Sequence, residues 1–104
     1  MRWLDLDIQS MINKMHSGDI EAIISCVDSE KSILAMNALM AGTKMMVRDV
    51  RFLSGVKKAK KSEVVLLGIP LKKVAIAAEH LLGIQEYWGN DQVILDMISS
   101  RFGV

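Results

Sequence analysis

One cysteine, one proline and five aromatic residues are all that these 104 residues hold of those types. A single cysteine, Cys26, cannot close an internal disulfide, so nothing argues for an oxidising compartment. No long hydrophobic run is present. The stretch between Lys31 and Lys44 has 12 uncharged residues, against the roughly 18 that a membrane span needs. Asp5 and Asp7 interrupt the N-terminus before any apolar run of signal-peptide type. These absences set the expectation of a cytoplasmic protein with no membrane segment. Metal spacings of the HExxH, CxxC or His-x3-His kind are missing, and so are GxxxxGK[ST] and GxGxxG loops. No cofactor is expected.

What is present is aliphatic. Half of the chain, 51%, is hydrophobic, most of it Ile, Leu, Val, Ala and Met. That composition suits helix packed on helix, and the length suits one domain, 1–104. Ile8, Met11, Ile12 and Met15 follow the helical i, i+3, i+4, i+7 rule and predict a first helix from about Asp5 to His16. Ser17-Gly18 ends it, Asp19 caps a second helix over Ile20–Val27, and Asp28 caps a third from Ser29 to Met45 or Met46. A fourth helix is expected from Val47 or Arg48 to about Lys58, with Val50, Leu53 and Val56 as its apolar stripe. A short helix over Glu63–Leu67, capped by Ser62, follows. The run Val64–Leu67 is short enough to pass for a strand, but a lone strand would have no partner. Pro70 then opens a helix at its first position and Gly83 closes it. Asn90 or Asp91 caps a last helix with Val93, Ile94, Met97 and Ile98 on its apolar face.

Two segments match at a shift of 41 residues. Ser29–Gly42 reads SEKSILAMNALMAG and Pro70–Gly83 reads PLKKVAIAAEHLLG. Ile33 falls on Val74, Met36 on Ala77, Met40 on Leu81 and Gly42 on Gly83. Such a period with helical patterning points to stacked repeats. Val74, Ala78, Leu82 and Gly83, with Ile33, Ala41 and Gly42 as weaker counterparts, resemble the inner helices of HEAT and armadillo repeats. The resemblance implies an all-α, right-handed α-α superhelix, here of about seven helices in two and a third three-helix repeats. It also implies a scaffold that binds protein rather than one that performs chemistry. Ala75 and Leu34 stand where such repeats usually place an arginine, which fits a short, self-capped stack.

Charge is uneven. The net charge is +1, yet residues 44–73 hold nine basic and two acidic groups between acidic flanks. The run Lys57-Lys58-Ala59-Lys60-Lys61 is the sharpest feature. Together with Arg48, Arg51, Lys72 and Lys73 it forms a candidate partner-binding band. The expected function is a non-enzymatic intracellular module whose basic band meets a protein partner, and the charge implies that an acidic partner would suit it. The alternative is nucleic-acid binding through the same residues, and the bland alternative is a solvated corner. A small enzyme using Glu79 and His80 is a third idea, although neighbours on a helix point about 100° apart. Cys26 is expected to be buried, Met45 and Met46 exposed, and Trp3, Tyr87 and Trp88 to cap the core.

Overall fold

A computed structural model describes residues 3–102, with side chains from residue 7 onward. The chain runs α1 (Trp3–His16), α2 (Ile20–Cys26), α3 (Ser32–Lys44), α4 (Val50–Ala59), β1 (Val65–Leu66), β2 (Ile69–Pro70), α5 (Leu71–Leu81) and α6 (Gln92–Ser100). It is mostly helical, as the periodicity predicts. Six helices and one two-stranded hairpin are present among the described residues.

The long helices α3 and α5 pack on each other and form the spine. The helices α1 and α2 cover α3, while α4 and α6 cover α5. Met15, Ile23, Leu39, Phe52, Val56, Val74 and Leu82 are the large side chains fully enclosed between them. Cys26 is a buried free thiol on α2, as expected from its apolar neighbours.

Local chemistry accounts for most of the boundaries. The α1 helix stops at Gly18, whose φ of 106° is one that side chains resist. The Asp19 carboxylate accepts the Ala22 N–H at 3.1 Å and caps α2. Asp49 and Asp91 do the same for α4 and α6. The end of α5 is a Schellman turn: Ile84 N–H donates to the Glu79 carbonyl at 3.0 Å around Gly83, with φ 75°.

Several expectations fail. Asp28 does not cap α3. That helix starts three residues later, after a turn in which Ser29 Oγ accepts the Lys31 N–H at 3.0 Å. Its end is another Schellman turn, with Val47 N–H bonded to the Gly42 carbonyl at 2.9 Å, but Met46 fills the left-handed position with φ 56°. Gly42 itself lies inside α3, where a Cβ would land on the Phe52 ring. The stripe expected on α4 holds in part: Val56 is buried and Leu53 packs against the core, but Val50 is exposed, and Phe52, Gly55 and Ala59 are buried beside Val56. A Cβ at Gly55 would meet Val27, so α4 and α2 approach at a bare backbone. Ile33, expected in the core like Val74, is only half-buried.

The largest correction is the short helix over Glu63–Leu67. It is instead the first arm of an antiparallel hairpin, with Val65 opposite Pro70 and Leu66 opposite Ile69. Leu67 and Gly68 form the tight turn, both with positive φ, 53° and 80°. The strand partner is the segment just before α5. Pro70 therefore ends a strand and sits at the N-cap of α5 rather than at its first turn. The seventh expected helix is thus absent among the described residues.

Candidate binding surface

The basic band divides into two classes. Five of its eight members are engaged within the chain. Arg48 donates to the Leu82 carbonyl and so closes the C-terminus of α5 from a distant segment. Arg51 reaches Asp49 at 3.0 Å and Glu21 at 3.3 Å. Lys58 meets Asp28 at 3.5 Å, and Lys73 meets Asp91 at 2.8 Å. Lys60 meets Glu79 at 2.9 Å. Lys57, Lys61 and Lys72 form neither an ion pair nor a side-chain hydrogen bond of this kind among the described residues, and Arg48 has only its bond to the Leu82 carbonyl. Four of the acids that flank the band in sequence, Glu21, Asp28, Glu79 and Asp91, are thus folded back onto it.

Two of these pairs shift their carboxyls. The Arg51 guanidinium, helped by the Arg51 backbone N–H, holds Asp49 below the usual carboxylate range. Arg51 is raised in turn, mainly by its bond to Asp49. Lys73 holds Asp91 down, with the N–H groups of Val93 and Ile94 adding to it. Both acids are N-caps, where the helix end favours negative charge.

Glu79 is the residue that sequence reasoning undervalued. It lies in the wall of α5 with only 4% exposure, and Lys60 is its cation. A buried carboxylate needs such a partner. At the 41-residue shift Glu79 falls on Ala38, so the alignment of the two segments sets an acid against an apolar position. That was the available signal. His80 turns elsewhere. Its Nδ1 accepts the Tyr87 N–H at 3.2 Å, and the Tyr87 hydroxyl accepts the Asp91 N–H at 3.0 Å. These bonds fasten the connector between α5 and α6. Glu79 and His80 therefore do not converge on one site. On α1, His16 is bonded to Asn37 at 2.9 Å.

Beside Glu79 runs a groove of about 410 Å³ lined by Val50, Leu53, Ser54, Lys57, Glu79 and Ile84. It lies between α4 and the turn after α5. Val50 is 77% exposed there and Lys57 stands at the rim. Tyr87 packs against the core as expected of a cap, but Trp88 is 84% exposed and caps nothing. The Trp3 side chain lies outside the described residues. Met45 and Met46 are exposed, and Met36 is buried. Among the described residues no group of His, Cys, Asp or Glu could hold a metal ion, and no helix is long and apolar enough to cross a membrane.

No protein-family model, curated protein or solved structure significantly matches this chain.

Proposed function

We propose that the chain is a non-enzymatic protein-binding module of the cytoplasm, built as a short HEAT- or armadillo-like stack of two unequal rounds. The first round is α1, α2 and α3. In the second, α4 and α5 flank a hairpin in place of the short helix, and α6 closes the end. The observation that carries the binding reading is the groove beside α4. It pairs exposed aliphatic side chains, Val50 and Ile84, with an unpaired cation, Lys57. Apolar area would supply affinity, and Lys57 would favour an acidic partner segment.

The original band of eight cations is a weaker basis. Five are spent on internal partners, which leaves little positive field for a nucleic acid. The test compares wild type with Val50→Asp in affinity capture with quantitative mass spectrometry, alongside titration of labelled duplex DNA and RNA. Proteins lost from the variant support the groove. Identical captures would remove it. Salt-sensitive binding of the nucleic-acid probes, equal in both proteins, would move the function to the alternative.

A further inference from the structure

The hairpin tip carries two unfavourable features in one residue. Leu67 occupies a left-handed backbone position, φ 53°, at the first place of a tight turn that favours Asn, Asp or Gly. Its side chain is also 88% exposed, the highest value among the large apolar residues described. The fold makes no use of that side chain. Leu66 and Ile69 already anchor the hairpin to the core, and Leu71 N–H bonds the Val64 carbonyl at 2.9 Å. The tip is therefore held firmly outward, with Val64 and Val65 exposed beside it. Strain at a residue that the fold does not need points to function.

We infer that Leu67 is a docking knob that enters an apolar pocket on a protein partner, with an acidic rim that meets Lys61 and Lys72. This rests on the protein-binding reading above, but on a different surface. Lys61 and Lys72 flank the hairpin in sequence, are exposed, and form no ion pair among the described residues. Their charge selects the sign of the rim. A bilayer is a poorer occupant. The apex is one leucine wide, and exposed Glu63 shares the base with the lysines. A lone small anchor with a nearby acid holds a membrane weakly.

The first measurement is thermal unfolding of full-length Leu67→Asn. Asn suits the turn, so the melting temperature should rise; a fall would show that the leucine supports the fold and would overturn the inference. The second places p-benzoylphenylalanine at position 67, and separately at position 50, and irradiates the native cell. The protein joined at 67 is then purified and its affinity measured. Leu67→Asn should weaken binding about tenfold or more, as loss of a buried anchor does. Lys61→Ser with Lys72→Ser should weaken it mainly through slower association at low salt. Equal binding by Leu67→Asn overturns the inference. So does sedimentation of wild type, but not Leu67→Asn, with phosphatidylserine vesicles. An adduct at 50 alone overturns the hairpin and leaves the groove. Adducts at neither position overturn both.

Discussion

The segments 29–42 and 70–83 share one pattern at a shift of 41 residues, yet the two long helices they form are finished differently. In α3 the equivalent glycine is internal. Gly42 is a bare patch of helix onto which the Phe52 ring from α4 is pressed. In α5 the equivalent glycine is terminal, and Gly83 supplies the left-handed turn. The same letter answers a packing demand in one helix and a backbone demand at the end of the other. The short elements diverge further: α2 is a capped helix, and its counterpart is a hairpin. Equivalent sequence therefore preserves the apolar face of the long helix and little else.

The sharpest way to break this comparison is Gly42→Ala against Gly83→Ala. At Gly42 the new methyl meets Phe52, a fully buried ring, and lies 3.1 Å from Ile23. Overpacking of that kind costs about 3 kcal/mol, the upper end of the usual range. At Gly83 a Cβ would meet only Arg48 Nη2, at an ordinary 3.7 Å, so the backbone is what resists, at roughly 1 kcal/mol. Urea denaturation of both variants measures the difference. Equal losses would mean that both glycines do the same thing, and the contrast between α3 and α5 would fall.

Next in size is the ion pair that α5 has and α3 lacks. Glu79 is buried where α3 has Ala38 at the 41-residue shift. Lys60→Ser leaves that carboxylate without its cation and should cost about 2 kcal/mol, less than a fully enclosed pair because Lys60 is half open to water. Adding Glu79→Ala should recover part of the loss, since it recreates the small residue that α3 has at Ala38. The double-mutant cycle reads the coupling directly. Additive losses would show that the two groups do not depend on each other.

What could be read in advance was local. Helical periodicity, the caps Asp19 and Asp91, the terminal Gly83 and the burial of Cys26 all depend on neighbours within a turn or two. The hairpin was not legible, because Val64–Leu67 is too short to show a period and its turn carries Leu67 where Asn would have announced it. The end of α3 was legible to within a residue or two, but not that Met46 would take the left-handed position there. Gly42 and Gly55 were visible as letters, but Phe52 and Val27, which explain them, come from other helices. The basic band was visible as a run. Its partners Glu21, Asp28, Glu79 and Asp91 are distant in sequence, and only the fold returns them to it.

A smaller effect tests the repeat-equivalent core positions. Val74 is fully buried and Ile33 is not, although the shift makes them equivalent. Val74→Ala should cost about 2 kcal/mol from lost burial and the cavity. Ile33→Ala removes more atoms but should cost about 1 kcal/mol or less, because its site is partly wet. Chemical denaturation of the pair decides it. A larger loss at Ile33 would restore the symmetric core that the sequence suggests.

The smallest effect separates helices by how they begin. The α4 and α6 helices start on carboxylates with a cation beside them, Asp49 with Arg51 and Asp91 with Lys73. The α3 and α5 helices start at Lys31 and Pro70, with no side-chain cap. Both carboxyls are held below the ordinary value of about 3.9. A depressed folded value means that the unfolded chain binds the proton more readily. The stabilisation is therefore complete above about pH 4 and fades as pH falls through the lower folded values. Acid should loosen the first turns of α4 and α6 before those of α3 and α5. In an NMR titration from pH 6 to pH 2, the amides of Val93 and Ile94, which donate to Asp91, should move with a midpoint below about 3.9. Asp91→Asn should keep α6 capped, since Asn caps as well as Asp, while removing that step. A midpoint at or above the ordinary value would show that Lys73 does not hold the carboxylate. Simultaneous loosening of all four helices would erase the distinction between charged and uncharged starts.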